Sequence, residues 1–189
     1  MLSIAIGADD AAIELKNALI DYLHQSGFTT ADYSADAQHD GGCAYPDIAW
    51  TVAQAIKNGR HQRGILVCGT GIGMSITANK VPGIRAAQCH DTYSAERARK
   101  SNDAQIITVG ARVIGAELAK SILAAWLNAA FEGGRSAPTV EKIGYYEHVK
   151  SSYIPGALPA GPGIRGLRPT IGRAPCNNQT KRLPDPSCL

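Results

Sequence analysis

Short apolar segments alternate along this chain with longer segments in which apolar residues recur every three or four positions. Such alternation is typical of βαβ units, in which each strand is followed by a helix that packs on the sheet. Strands are predicted at residues 3–7, 28–33, 64–68, 84–88 and 105–109. Helical stripes are formed by Leu15, Ala18, Leu19, Tyr22 and Leu23, by Ala49, Val52, Ala53 and Ile56, and by Ala119, Ile122, Leu123, Trp126 and Ala130.

Two of the strands, GILVC and QIITV, are mainly apolar and show no alternation with polar residues, as parallel strands covered on both faces are. The pattern predicts a doubly wound, Rossmann-like α/β fold: a five-stranded parallel sheet with helices on both faces, in three α/β/α layers. A last helix is expected over about 137–150, followed by an irregular tail. The 189 residues suffice for one domain, at 1–150, with the tail at 151–189.

The tail differs from the rest of the chain in composition and charge. Its 39 residues include seven prolines and five glycines, and they show no apolar periodicity. Such a segment is expected to be disordered or to wrap along a partner subunit. The tail has a net charge of +4, whereas residues 1–150 have a net charge of −1. Because the domain itself has no basic field, no nucleic-acid partner is expected.

The sequence does not indicate a membrane protein, a secreted protein or a metal-binding protein. No run approaches the roughly 18 apolar residues of a membrane span, so no membrane partner is expected. The first residues lack the basic region of a signal peptide. The five cysteines form no C-x-x-C pair, so no metal site is predicted. We expect reduced thiols in a cytoplasmic protein.

The chemistry is expected where the strands end, because ligands of open parallel sheets bind beyond the carboxyl ends of the strands. The segments at these ends are polar and rich in glycine: GADD at 7–10, CGTGIG at 68–73, CHD at 89–91 and GAR at 110–112.

The segment CGTGIG carries the strongest local signal. Its glycines allow successive backbone N–H groups to converge on an anion or a developing oxyanion. Cys68 beside this nest is a candidate base or nucleophile, although a buried cysteine can also be a small core residue. A dinucleotide fingerprint is not matched, since positions 74 and 76 are methionine and isoleucine, and a cysteine-phosphatase loop would need arginine at position 74.

Charged residues near the same strand ends extend the candidate site. Arg112 and Arg135 are candidate phosphate ligands, each with the alternative of a solvated surface arginine. Asp9 and Asp10 follow the first strand, and we expect one to cap the next helix while the other faces the site.

Five segments together resemble the type B ribose-5-phosphate isomerases, which are related to the galactose-6-phosphate isomerase subunits. They are IAIGADDA, AYPDIA, GILVCGTGIGMSITANKVPGIRAA, HDTYSAERARKSNDAQIITVGARVIG and FEGGR, and the similarity runs in one register over about 4–150. The resemblance implies interconversion of aldose and ketose phosphates through a cis-enediolate, without a metal or nucleotide cofactor. It also implies a homodimer or a dimer of dimers with its sites between subunits.

The resemblance assigns the proton transfer to Cys68, which would move a proton between C1 and C2 of the sugar. Thr70 would lie near the migrating hydroxyl protons. The loop that would hold the enediolate consists of Gly69, Thr70, Gly71, Ile72 and Gly73. This agrees with the residue-based analysis, because a thiol base and an N–H nest are what proton abstraction next to a carbonyl requires.

The resemblance also assigns contacts with the rest of the substrate. Asp9, which we count with the catalytic residues, Tyr45 and Asn102 match substrate-contacting positions. Arg112 and Arg135 match phosphate ligands.

Three positions depart from the usual pattern of the family. Asp10 and Ser101 stand where typical members have histidine, the second being the ring-opening residue, and Thr139 replaces a second phosphate-binding arginine. Asp10 and Ser101 are still expected to contact the substrate. His90, after the fourth strand, is a candidate replacement acid, with a structural role as the alternative.

These departures keep the choice of substrate open. Ribose 5-phosphate and ribulose 5-phosphate are the default pair. The alternative is erythrulose and erythrose 4-phosphate, because a tetrose 4-phosphate cannot form the usual furanose, or another phosphosugar. A second alternative is a non-catalytic protein that binds a phosphosugar, since fold alone does not fix function.

Overall fold

The computed structural model describes residues 2–34 and 44–148 of the chain. Cys43, one of the five cysteines expected to be reduced, the end of the predicted last helix and the tail at 151–189 lie outside these residues.

The described residues form a five-stranded sheet in which all paired strands are parallel. The strands are β1 (Ser3–Ala8), β2 (Thr29–Asp32), β3 (Arg63–Cys68), β4 (Ala86–Gln88) and β5 (Ile106–Gly110). Their order across the sheet is β2-β1-β3-β5-β4, so β3 is the central strand. The predicted fold class is therefore confirmed.

Helices connect the strands and cover both faces of the sheet. Within the described ranges they are α1 (Ile13–Gln25), α2 (Tyr45–Lys57), α3 (Ile72–Ala78), α4 (Thr92–Lys100), α5 (Ala116–Leu127) and α6 (Ala137–His148). One prediction at a helix end was wrong: Ala130 lies beyond α5 and is exposed, while Ala129 is buried in its place.

The core consists of two apolar layers because successive strand residues point to opposite faces of the sheet. Ile65 and Val67 of β3 pack in the layer under α1, α4 and α5, which includes the fully buried Trp126. Leu66 and Cys68 of the same strand pack in the layer under α2 and α3. Cys68 thus ends the central strand on the α2/α3 face.

The expected capping of the first helix by an aspartate was wrong. α1 is preceded by a short 3₁₀ helix, Asp10–Ala12, and its N-cap position is Ala12, which has no side-chain capping bond. The 3₁₀ turn replaces the cap, so both acidic side chains are left for other contacts.

The loop after β1 is tied to its neighbours by polar contacts. The Ala8 N–H donates to Oγ of Ser34 at 3.0 Å, and the Ser34 N–H donates to Oδ1 of Asp32 at 2.9 Å. Asp32 also accepts from Nζ of the buried Lys16 at 2.8 Å. These contacts connect α1 and β2 to the end of β1, immediately before Asp9.

No helix among the described residues has both the length and the apolar character needed to cross a bilayer.

Candidate active site

Cys68 lies at the carboxyl end of the central strand and is 6% exposed. Its sulfur accepts a hydrogen bond from the Gly71 N–H at 3.1 Å. Its carbonyl accepts from the Ala111 N–H at 2.8 Å, which joins the end of β3 to the turn after β5. Backbone N–H groups therefore hold this residue at two points, Gly71 at the sulfur and Ala111 at the carbonyl.

The segment at 69–73, which we call the glycine loop, rests directly on the end of β5. Gly71 has a φ of +79°, and a Cβ at this position would lie 3.0 Å from the carbonyl carbon of Val109. A Cβ on Gly110 would lie 2.8 Å from backbone atoms of Thr70. Both glycines are required because backbone packs on backbone at this point.

Two side chains from neighbouring strands contact the carbonyls of the glycine loop. Nε2 of Gln88, at the end of β4, donates to the Thr70 carbonyl at 2.7 Å. Oγ1 of Thr108, inside β5, donates to the Gly71 carbonyl at 2.9 Å and is fully buried. Neither residue was among the predicted site residues, although a polar residue at a strand end and a threonine inside an apolar strand were signals that could have found them.

Asp9 and Arg112 border the loop, Asp9 from the end of β1 and Arg112 from the turn after β5. Oδ1 of Asp9 is buried and has no hydrogen-bond partner. Burial raises the pKa of Asp9, and this rise is partly offset by the Ala11 N–H and by Arg112. The Arg112 N–H donates to the Gly69 carbonyl at 3.0 Å, and its guanidinium passes over Gly69. A carboxylate with one unpartnered oxygen and a guanidinium thus border the loop that holds Cys68.

Tyr45 closes the opposite side of the glycine loop. It is the first residue of α2, and its ring lies so close to Gly73 that a Cβ there would be 2.4 Å from the ring. The side chain is 42% exposed. Its hydroxyl is therefore available to a ligand seated on the loop.

His90 supports the turn on which the glycine loop rests. The Gly110 N–H donates to Nε2 of His90 at 3.0 Å, so the neutral imidazole carries its proton on Nδ1. Asp91 next to it caps α4 by accepting from the Ser94 N–H at 2.7 Å. The geometry thus gives His90 a structural contact; its catalytic role stays a prediction.

Asp10 is exposed and lies beside this group. It lines a groove of about 620 Å³ between the start of α1 and the turn after β5, together with Glu14, Ala111 and Ile114. The groove at this position is therefore acidic, where a typical member of the family that the sequence resembles has a histidine.

Ser101 and Asn102 lie on the opposite side of the sheet from Cys68, where the strands have their amino ends; we call this side the amino edge and the side of Cys68 the carboxyl edge. They follow α4, which runs from the carboxyl end of β4 back to the amino end of β5; its nine residues span about 13 Å. The Asn102 carbonyl accepts from Nε of Arg85, which directly precedes β4. Ser101 accepts a short hydrogen bond from Arg97. These two predicted site residues are therefore not brought to Cys68 within one chain.

Arg135 lies in the segment between α5 and α6, beyond the same amino edge. α5 leads back from the carboxyl end of β5, and the Glu132 N–H donates to the Lys100 carbonyl at 3.1 Å. Arg112 and Arg135 thus lie towards opposite edges of the sheet. Together the two edges hold every predicted site residue, in two groups.

Cys89 differs from Cys68 although both are buried free thiols. Burial, with a smaller effect of Asp91, raises the pKa of Cys89 to about 12. It therefore stays protonated at neutral pH. Over 2–34 and 44–148, no group of three or more histidine, cysteine or acidic side chains is arranged to hold a metal ion.

Residues 4–143 match the family model described as Ribose/Galactose Isomerase. The chain belongs to this family. The isomerase is 72% identical over 148 residues to D-erythrulose-4-phosphate isomerase of Pectobacterium atrosepticum, a match covering 78% of this chain and 97% of the relative. It is 54% identical over 140 residues to ribose-5-P isomerase B of Listeria innocua, covering 74% and 93%.

A solved structure of ribose-5-phosphate isomerase B from Clostridium thermocellum superimposes on the isomerase with a TM-score of 0.73 at 46% identity. The match covers 77% of this chain and 97% of that one. The family predicted from the sequence and the prediction of a sugar-phosphate isomerase are both confirmed.

Proposed function

We propose that this isomerase interconverts D-erythrulose 4-phosphate and D-erythrose 4-phosphate. The 72% identical relative is named for the first of these sugars, and the 54% identical relative is named for ribose 5-phosphate. The tetrose alternative is thus better supported than the default pentose. The non-catalytic alternative is not supported, because the relatives are isomerases.

The main argument for the tetrose is that position 101 is a serine and not the ring-opening histidine. A pentose 5-phosphate closes to a furanose, and an acid–base group must help to open it before C2 can be deprotonated. The Ser101 hydroxyl accepts from the Arg97 guanidinium and does not titrate near neutral pH as imidazole does. A tetrose 4-phosphate has its O4 esterified and needs no ring opening, so serine suffices for it.

The chemistry follows from Cys68 and the glycine loop. The Cys68 thiolate removes a proton from C1 of the ketose, and the C–H electron pair forms the C1=C2 bond while the C2 carbonyl electrons move to O2. N–H groups of the loop stabilise the resulting enediolate. Cys68 then returns the proton to C2, and Thr70 passes the hydroxyl proton between O1 and O2. No electron leaves the substrate, so the reaction needs no redox cofactor.

A complete site requires a second copy of the chain. Asp9, Cys68 and Arg112 lie at the carboxyl edge, whereas Asn102 and Arg135 lie beyond the amino edge of the same sheet. In a homodimer with its sites between subunits, the amino edge of one copy would supply Asn102 and Arg135 to the carboxyl edge of the other. The phosphate would then bind between Arg112 of one copy and Arg135 of the second.

A cytoplasmic location is part of the same proposal. Cys68 must stay a free thiol to act as a base, and reducing compartments keep thiols free.

The decisive experiment measures kcat/KM for erythrulose 4-phosphate and for ribose 5-phosphate side by side with the same enzyme. We expect the tetrose to be preferred. A tenfold preference for ribose 5-phosphate would return the assignment to the pentose.

A further inference from the structure

Gln88 and Thr108 contact the glycine loop without facing Cys68 themselves. Gln88 is exposed at the end of β4, and Thr108 is buried in β5. Both donate to carbonyls of the loop, at 2.7 Å and 2.9 Å. The proton transfers described above use neither residue, so these two hydrogen bonds to one short loop must have another role.

The Thr70–Gly71 peptide plane relates Gln88 to Cys68. In a trans peptide the carbonyl and the N–H point in opposite directions. The Thr70 carbonyl accepts from Gln88, and the Gly71 N–H on the other side of the plane donates to the Cys68 sulfur. A rotation of this plane would therefore break both bonds together.

Glycine permits this orientation but does not select it. Gly71 has a φ of +79°, yet glycine populates positive and negative φ about equally. The peptide before it can therefore turn over at little steric cost, which would direct a carbonyl instead of an N–H at the sulfur. A contact from outside the loop has to favour one orientation.

Thr108 acts on the next peptide plane in the same way. Its hydroxyl donates to the Gly71 carbonyl, so the N–H of that plane, which belongs to Ile72, is directed to the other side. The Ile72 N–H donates to Oγ1 of Thr70 at 3.3 Å. Two consecutive planes thus have their carbonyls held from β4 and β5, and their N–H groups are turned to the opposite side, toward Cys68 and the Thr70 hydroxyl.

We propose that Gln88 and Thr108 are positioning residues that hold the glycine loop in its catalytic orientation, with its N–H groups directed at Cys68 and the enediolate. The inference rests on the proposed role of Cys68 as the base. Misplacing such donors lowers the rate of the chemical step more than it weakens ground-state binding.

Gln88→Met tests the proposal, because methionine keeps the length of the side chain and removes the donor. We expect kcat to fall by roughly ten- to a hundredfold, with KM changing much less. The rate at which iodoacetamide alkylates Cys68 at neutral pH should fall as well, since the thiolate loses its N–H donor. Gln62→Met is the matched control, because Oε1 of Gln62 accepts from the Ser3 N–H at the amino edge of the sheet, away from the glycine loop. The kcat of Gln62→Met should equal that of wild type.

Thr108→Val and Thr108→Ser form a second pair. Valine removes the hydroxyl at nearly constant volume and should lower kcat, whereas serine keeps the donor and should restore most of it. If Thr108→Val fails to fold, the test rests on Gln88→Met, because Gln88 is exposed and its replacement does not disturb the core. A fall in kcat of less than about fivefold in Gln88→Met overturns the proposal, whatever happens to KM. An active Cys68→Ala variant would instead overturn the proposed role of Cys68 as the base, on which this inference rests, so the two failures are distinct.

Discussion

The Gly71 N–H lies 3.1 Å from the sulfur of Cys68 and donates to it, across a turn of three residues. A thiol in this contact is placed both to release and to accept a proton. Cys89 follows β4, two strands away from β3, and has no comparable donor among the hydrogen bonds of the described residues; its own S–H faces the Ala87 carbonyl at 3.8 Å.

Replacing Cys68 by alanine should lower kcat by roughly 10²–10⁴-fold, the usual contribution of a positioned general base. Binding of the phosphosugar should change little, because the base acts on the transition state. Steady-state kinetics and calorimetric binding measure the two effects separately. Cys89→Ala is the control and should keep its turnover; a Cys68→Ala enzyme within about tenfold of wild type would remove Cys68 from the mechanism.

Alkylation should distinguish the two thiols across a wide pH range. Burial holds the pKa of Cys89 at about 12, so its thiolate is scarce from pH 7 up to about 10 and becomes abundant only above that. Iodoacetamide should therefore modify Cys68 first throughout this range, and bound phosphosugar should slow the reaction. Peptide mapping by mass spectrometry follows both sites. Faster modification of Cys89 at pH 8 would contradict the expectation.

Arg112→Ala and Arg135→Ala should each weaken substrate binding by roughly 1.5–3 kcal/mol, the range for a hydrogen bond to a charged group. KM and the inhibition constant of inorganic phosphate should rise in parallel. Arg60→Ala, an exposed arginine of the turn after α2, serves as the control. Unchanged KM and phosphate inhibition in both variants would make these arginines ordinary surface residues.

Ser101→His should change the choice of sugar. An imidazole at position 101 could supply the acid that opens a furanose, so kcat/KM for ribose 5-phosphate should rise while that for the tetrose phosphate changes less. Ser101→Asn, which is polar but does not titrate, is the matched control. No gain on ribose 5-phosphate in Ser101→His would mean that position 101 does not determine the sugar.

Mixing two impaired variants, assayed at substrate concentrations far below the raised KM of the arginine variants, tests whether sites form between copies. Cys68→Ala and Arg135→Ala carry lesions on opposite edges of the sheet, so a mixed dimer would contain one intact site and one doubly damaged site. Random exchange should restore about a quarter of the wild-type sites. Mixing Cys68→Ala with Arg112→Ala, whose lesions share one edge, should restore nothing. Equal recovery in both mixtures would exclude the proposed arrangement.

The fold could be predicted largely because its strands are short and strongly apolar. β3 starts one residue earlier than predicted, and β5 is shifted by one residue at both ends. α4 was not predicted, since only the small Ala95 and Ala98 are buried on it and they form no apolar stripe. The strand order could not be derived either, because it depends on which strand ends meet and not on periodicity.

The candidate site was predicted as a set of residues but not as an arrangement. The glycine loop and Cys68 are local in sequence, so their contacts followed from CGTGIG. The separation of Ser101 from Cys68 depends on the direction of α4 through the fold, which no local motif encodes. The contact between Gln88 and the Thr70 carbonyl joins two strands and was missed for the same reason.

The course of α4 also sets how the substrate range of this enzyme can be engineered. The turn at 101–102 packs against Arg85 and Arg97 at one end of the sheet, about 13 Å along the helix from the strand end that precedes His90. A library of variants at positions 101, 135 and 139 would therefore leave the packing around the thiol unchanged. Selection for sugars of different length could act on one end of the molecule while the proton-transfer chemistry at the other end is inherited intact.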